Sequence, residues 1–211
     1  TRPSLMSNSR KDKRVNLNLG CGVQPLRGFI NIDNTITIKD LRSKRGIFKG
    51  TKMDKETKFV HADMRELPFK DNSVDYIECL EAIEHIPFKG VEVAIQEMHR
   101  VLKLGGKAVI FTQDFDDMAK MWVDYVADRP WDQHNWFLMV NVIYGNQMTD
   151  GEFHRSAFNT VYFNGLMQAC GFKDFEIKLF PRGAFPPKFK GAKWPKKTMA
   201  TAMILVEATK T

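Results

Sequence analysis

Residues 15–22, Val15-Asn16-Leu17-Asn18-Leu19-Gly20-Cys21-Gly22, alternate apolar and polar side chains and then break at two glycines one residue apart. The alternation is that of a β-strand, and the break constrains how that strand ends. Glycine lacks the β-carbon that would hold a ligand away from the backbone. A second short apolar strand follows, Gly28-Phe29-Ile30-Asn31-Ile32-Asp33, and it ends in a carboxylate. In open α/β sheets, ligands bind beyond the carboxyl ends of the strands, where an acid after the second strand takes two ribose hydroxyls. The stretch from Gly20 to Asp33 therefore predicts an open α/β sheet that holds a nucleoside-bearing cofactor. A dinucleotide fingerprint would place a third glycine where Pro25 stands, and no G-x-x-x-x-G-K-[ST] loop occurs in the chain, so neither pyrophosphate nor triphosphate is catered for.

The 211 residues suit one α/β domain, and an apolar fraction of 43% is ample for its core. No apolar run is long enough to span a bilayer. Three scattered cysteines, Cys21, Cys79 and Cys170, have neither metal-ligand spacing nor the look of a disulfide framework, which points to a reducing, cytoplasmic setting. The opening Thr1-Arg2-Pro3-Ser4 carries no initiator Met and no signal-peptide pattern, and reads as a domain cut from a longer protein. The net charge of +7 comes from basic clusters at 10–14, 39–58 and 188–197. No nucleic-acid motif accompanies them, so the clusters read as solvated loops, with an anionic substrate as the alternative.

Taken in order, residues 1–14 are a polar arm and 15–211 a single domain. Strands are predicted at 15–19, 29–33, 58–62, 74–80 and 107–112. The link 20–28 is short for a parallel crossover, so a turn is expected there in place of a helix. Apolar residues at Val91, Ala94, Ile95, Met98, Val101 and Leu102 form the stripe of an amphipathic helix over 90–102, stopped by Gly105-Gly106. Residues 116–144 are helical, rich in aromatics and split by Pro130, and a polar loop runs to Ser156. A helix over 160–170 and two strands, 173–180 and 199–208, complete the chain. Alternating strand and helix units followed by two consecutive strands spell a mostly parallel sheet closed by an antiparallel hairpin.

These stretches resemble the class I S-adenosylmethionine-dependent methyltransferases. The resemblance rests on Leu17 to Gly22, Asn31-Ile32-Asp33, His61-Ala62-Asp63-Met64-Arg65-Glu66-Leu67-Pro68-Phe69, the segment 75–87, and Glu97 to Gly106. It implies a Rossmann-like seven-stranded sheet in the order 3-2-1-4-5-7-6, with S-adenosylmethionine as cofactor. It also implies roles at the cofactor: Gly20 and Gly22 under the methionyl part, with Leu19 and Cys21 beside them; Asp33 and Asn34 at the ribose; Asp63 and Met64 at the adenine; Leu80 and Glu81 on the sulfonium side. The compact first crossover, Gly145-Asn146-Gln147, His154 and Gly171-Phe172 further resemble the sugar (rhamnose) O-methyltransferase domain attached to glycosyltransferase domains in large chlorella viruses. That closer resemblance implies a glycan acceptor, covalently linked glycosyltransferase domains and action in the host cytoplasm.

A sugar hydroxyl is a poor nucleophile near neutral pH, so a positioned base contributes ~10²–10⁴-fold. The candidates are His154 in the polar loop, His85 just past the fourth strand and Asp114 at the end of the fifth, with Glu81 and Glu84 behind them. His61, His99 and His134 read as structural. An insertion at about 116–156 is expected to form a substrate lid, offering Trp122, Trp136 and Tyr144 to a sugar face and Asn146, Gln147 and Arg155 to its hydroxyls. The same aromatics, with Trp131, equally suit the insertion's own small core. No compact acidic and histidine cluster that would require a metal is visible in the sequence. Leu80-Glu81-Ala82 stands where an amine-methylating nucleic-acid enzyme would have Asn/Asp-Pro-Pro-Tyr, which makes nucleic acid an unlikely acceptor. A small-molecule N-, C- or O-methyltransferase, an RNA methyltransferase and a non-catalytic cofactor-binding module remain the alternatives.

Overall fold

In the computed structural model, β1 (Asn16–Leu19) and β2 (Ile30–Asp33) lie parallel and adjacent, joined by turns with no helix between them. The structure describes residues 14–43, 45–51, 55–128, 133–147, 149–184, 187–192, 199 and 201–211. The polar arm, apart from Arg14, lies outside them, as do Trp131 and much of the first and last basic clusters. The other strands are β3 (Lys58–His61), β4 (Val74–Leu80), β5 (Leu102–Gln113), β6 (Asp174–Phe180) and β7 (Met203–Thr209). They form one seven-stranded sheet in the order β3-β2-β1-β4-β5-β7-β6. Strands β1 to β5 pair in parallel, and β7 runs antiparallel to both neighbours. This is the order the resemblance implies.

One face of the sheet is apolar. Leu17, Leu19, Ile32, Ile77, Cys79 and Ile110 pack there under α2 (Phe88–Val101) and α5 (Thr160–Ala169), through Val91, Ile95, Met98, Phe163 and Met167. The alternation Asn16-Leu17-Asn18-Leu19 follows from this, with leucines to the helices and asparagines to the other side. That other side is not solvated. Asn18 and Asn31 are buried and stand as cross-strand neighbours, with Glu78 of β4 next in the same row. Asn18 Nδ2 donates to Asn31 Oδ1 (2.9 Å), and Asn31 Oδ1 also accepts from Leu26 N (2.6 Å). Asn31 Nδ2 donates to Leu26 O (3.0 Å) and Lys58 O (2.9 Å). Glu78 accepts from Tyr76 Oη (3.1 Å) and from the amides of Gly191 (2.8 Å) and Ala192 (3.3 Å).

The link between β2 and β3 holds two short helices, α1 (Ile38–Ser43) and a 3₁₀ turn at Gly46–Gly50. After α2, Gly105-Gly106 does something other than stop a helix. Strand β5 already begins at Leu102, and the glycines lie inside it, where its register to β4 shifts between Val74 and Tyr76. Gly105 has φ +75, and a β-carbon on Gly106 would come within 2.9 Å of Lys103 O. The pair makes a bulge, a place for glycine inside a strand. The aromatic insertion is α3 (Phe115–Asp128) and α4 (Gln133–Tyr144), followed by a loop with a 3₁₀ turn at Asp150–Glu152. Among the described residues, no helix is long and apolar enough to cross a membrane.

The segment after β3 is fixed by charge. Glu97 Oε2 accepts from Leu67 N (2.8 Å), and Arg100 donates to Leu67 O (3.1 Å), Phe69 O (2.9 Å), Asp71 (2.6 Å) and Glu97 Oε1 (2.6 Å). Hydrogen bonds to Arg100, joined by the Leu67 amide, hold the Glu97 carboxyl below its ordinary 4.5. A group with a depressed folded pKa stabilises the fold above the ordinary value and loses that contribution as pH falls through the folded one. Glu97→Gln should therefore cost about 1–3 kcal/mol at pH 7. The gap from the unchanged protein should close progressively below pH 4.5. Urea unfolding at pH 7 and at successively lower pH measures it; an unchanged gap at low pH would mean that charge is not what holds this segment.

Candidate active site

The carboxyl ends of β1, β2 and β4 open into a cleft of about 610 Å³. Gly20 (φ +63) and Gly22 (φ +46) both take left-handed backbone at its floor. A β-carbon on Gly20 would fall 2.4 Å from Ala82 Cβ, so the chain past β1 and the chain past β4 touch only because Gly20 has no side chain. At Gly22 nothing among the described residues lies within 4 Å of the position a β-carbon would take. Asp33, 8% exposed, ties this turn to the next: Oδ2 accepts from Gly22 N (2.9 Å), and Oδ1 accepts from Thr35 N (2.9 Å), Thr35 Oγ1 (2.8 Å) and Ile36 N (3.3 Å). Oδ2 keeps acceptor capacity toward the cleft. Farther along, Asp63 accepts from Asn34 Nδ2 (2.9 Å), Arg65 N (2.8 Å) and Arg65 Nε (2.9 Å), and these bonds, Arg65 foremost, hold its carboxyl below the usual range.

Of the residues assigned to the cofactor, Gly20, Cys21, Gly22, Asp33, Asn34, Asp63, Met64, Leu80 and Glu81 line this cleft. Leu19 does not: it is wholly buried in the core under the helices. Burial, reinforced by the Asp33 charge, pushes the Cys21 thiol far up, so it is no nucleophile. Glu81 has φ +48 and stands at the cleft wall, where the protein around it and the neighbouring Glu84 push its carboxyl up.

The opposite wall comes from the insertion and its loop. His154 N donates to Tyr144 O (3.0 Å), while Arg155 N (2.8 Å) and Ser156 N (3.1 Å) both donate to Glu84 O. The loop is thereby fastened to the 3₁₀ turn Ile83–His85 that follows β4. His85 and His154 meet edge to face, with ring centroids 5.0 Å apart. His85 Nδ1 lies 3.1 Å from Phe153 O, and His154 Nδ1 lies 3.1 Å from Val142 O. Burial lowers both imidazoles, His154 to about 4 with His85 adding to the shift. Asn146 and Arg155 line the same wall, and so do Asn141, Thr149 and Glu152, which sequence reasoning did not single out.

Other expectations need correction. Asp114 does not line the cleft: 7% exposed, it accepts from Asp117 N (3.2 Å) through Oδ2 and so caps the amino end of α3. Trp122, Trp136 and Tyr144 line a separate apolar groove between α3 and α4, where the Trp122 and Trp136 rings meet tilted at 5.3 Å. They pack these two helices together, with Trp136 and Tyr144 still exposed at the surface. Gln147, exposed and at φ +55, turns back to Tyr144 O (3.5 Å), outside the cleft. Glu84, which the sequence ranks behind the other candidates, forms with His85 and His154 a group whose potential ligand atoms lie within 4.8 Å of one another.

Comparison with known proteins fits this geometry. The family described as a methyltransferase domain matches residues 17–110. The demethylmenaquinone methyltransferase of Staphylococcus carnosus is 30% identical over 141 residues, covering 63% of this chain and 54% of that protein. The chain spans about half the length of the curated relatives it matches. Among solved structures, a methyltransferase of Thermotoga maritima described as a possible histamine N-methyltransferase superposes with a TM-score of 0.58 at 17% identity, covering 93% of this chain and 82% of that one. The 1,6-didemethyltoxoflavin-N1-methyltransferase of Burkholderia thailandensis, solved with 1,6-didemethyltoxoflavin and S-adenosylhomocysteine, gives 0.53 at 15% identity, covering 93% and 71%. Over residues 17–110 the chain is thus similar to the methyltransferase domain family, and its fold is that of the solved methyltransferase structures.

Proposed function

We propose that this protein methylates a sugar hydroxyl of a glycan, a deoxyhexose such as rhamnose, at the expense of S-adenosylmethionine. One observation carries the reading: a single cleft has two walls of different chemistry. The wall at the strand ends offers carboxylates and glycine backbone, which suit a nucleoside with a cationic sulfonium. The wall built by Asn141, Asn146, Thr149, His154 and Arg155 is polar, which suits an acceptor dense in hydroxyls.

The residues present fit the cofactor. Asp33 Oδ2 has capacity left for a ribose hydroxyl, and the open side of Gly22 leaves room above the turn. Asp63, ionised beside Arg65, accepts from an exocyclic amine, with Met64 against the ring. When bound, S-adenosylmethionine supplies a methyl group activated by its positively charged sulfur. The protein's part is to align the acceptor and exclude water. His85 and His154, neutral and each bonded through Nδ1, keep an Nε2 lone pair for the acceptor end of the cleft. In the full-length protein we place this domain beside glycosyltransferase domains, in the cytoplasm of the producing cell, or of the host if the protein is viral.

The names of the similar proteins favour a second reading, a small ring-bearing acceptor such as a quinone, an amine or a heterocycle. The polar wall argues against the most apolar of these. Labelled cofactor incubated with separate glycan, RNA and metabolite pools separates the cases. Label in the glycan pool supports the sugar reading, and label in RNA or metabolites alone overturns it. Cofactor binding with no labelled product would leave a binding module.

Two outcomes are expected of variants. Gly20→Ala should abolish binding of S-adenosylhomocysteine in calorimetry, since the new β-carbon would lie 2.4 Å from Ala82 Cβ. Asp33→Ala should weaken the same binding by roughly tenfold or more, the loss of charged hydrogen bonds worth ~1.5–3 kcal/mol; unchanged affinity would remove Asp33 from the site. On the acceptor side, Arg155→Ala should raise KM for the sugar several-fold while cofactor affinity holds. The opposite pattern would put Arg155 at the cofactor.

A further inference from the structure

We propose that Glu84, His85 and His154 bind a divalent transition-metal ion at the acceptor wall of the cleft. One potential ligand atom from each lies within 4.8 Å of the others. Three nitrogen and oxygen ligands held tetrahedrally at about 2.1 Å from one ion sit roughly 3.4 Å apart, so the three side chains close in on the ion as it binds.

The hydrogen bonds around the cluster set its chemistry. A carbonyl oxygen only accepts, so the contacts from His85 Nδ1 to Phe153 O and from His154 Nδ1 to Val142 O place the ring proton of each neutral imidazole on Nδ1. Each Nε2 is then left with a lone pair. This is how metal-ligating histidines are oriented, with the second nitrogen donated to a backbone carbonyl. Burial favours the neutral form of both rings, which is the ligating form.

Glu84 supplies an independent observation. It is 3% exposed, and neither its Oε2 nor the nearby Thr112 hydroxyl, which favours its charged form, has a hydrogen-bond partner among the described residues. A buried carboxylate oxygen without a partner calls for a cation or a proton. Both halves of the group are held by backbone: Arg155 N and Ser156 N bond to Glu84 O, and His85 N bonds to Ala82 O (3.2 Å). Two imidazole nitrogens and one carboxylate suit manganese, iron, cobalt or zinc in the divalent state, and suit magnesium poorly. Three protein ligands leave coordination positions open toward the cleft. An acceptor hydroxyl there would be polarised and fixed in place by the ion. That use rests on the methyl-transfer reading; the binding does not.

The test uses the full chain freed of metal by chelation, with Co²⁺ and Mn²⁺ as probes. Calorimetry and the visible absorption of Co²⁺ should show one ion per chain. His154→Ala and His85→Ala should each weaken it by more than about 100-fold, beyond the 10–100-fold typical of losing an outer partner. Retained binding of S-adenosylhomocysteine certifies that each variant is folded; Glu84→Gln is the third variant, judged on the same footing. Equal affinity in the unchanged protein and the folded histidine variants would overturn the site. So would methyl transfer at full rate by chain that takes up no ion, which would leave the methyltransferase reading intact. A bound ion lost in the variants, with no methyl product on any acceptor, would support the site and sink the functional reading.

Discussion

The row Asn31, Asn18 and Glu78 carries the problem that a short crossover creates. A parallel sheet is covered on both faces, and the covering is ordinarily supplied by crossover helices. Between β1 and β2 there is no helix, so that face must be closed by irregular chain, whose amides and carbonyls need partners. Asn31 satisfies Leu26 N, Leu26 O and Lys58 O at once, and Glu78 holds the amides of Gly191 and Ala192 over the sheet. A buried polar group left unpaired costs about 1–3 kcal/mol, so such a network helps only when it is complete. Its completeness is what lets the chain reach Gly20 and Gly22 without a helix standing over them.

The same row shows what a sequence reveals and what it hides. Alternation in 15–19 marked a strand correctly, yet nothing in it said that the polar side would be buried against loops. Strand order was legible because it follows from the succession of strand and helix signals and from the final pair of strands. That Gly20, Gly22, Asp33 and Asp63 share one cleft was legible too, since all sit at or just past strand ends, where topology alone brings them together. The acceptor side was not. Asp114 also follows a strand, but the helix beginning at Phe115 takes its carboxylate as a cap. Trp122 and Trp136 have the look of sugar platforms, and only tertiary contact shows them spent on each other. Glu84, His85 and His154 join through a loop returning from far along the chain, and no local spacing encodes that return.

Charge is distributed unevenly in a way that matters for ligands. The chain carries a formal +7, but Asp33, Asp63, Glu81 and Glu84 all line the cleft. A basic exterior speeds the approach of anions, while the acidic interior suits a ligand whose reactive centre is positive. Crowding carboxylates has a cost. Burial pushes Glu84 to about 7, and Glu84 in turn helps push Glu81 up. Glu81 and Glu84 are thus held less firmly in the charged form than an ordinary carboxyl, whereas Asp63, braced by Arg65, is held more firmly than one.

The acceptor wall is placed by backbone more than by side chains. Glu84 O receives two successive amides of the returning loop, and Tyr144 O receives the amide of His154. Gly145, at φ +81, lets this happen, because a β-carbon there would lie 1.8 Å from Glu152 O. Gly151 does the same against the Asp33 turn, where a β-carbon would meet Thr35 Oγ1 at 2.6 Å. Gly145 folds the loop onto itself, and Gly151 brings it against the turn that follows β2. Side chains projecting from such a loop can change without moving it, since the bonds that seat it belong to the main chain. Position and chemistry are therefore separable in this wall, which is the physical form of the rule that a fold does not fix its acceptor.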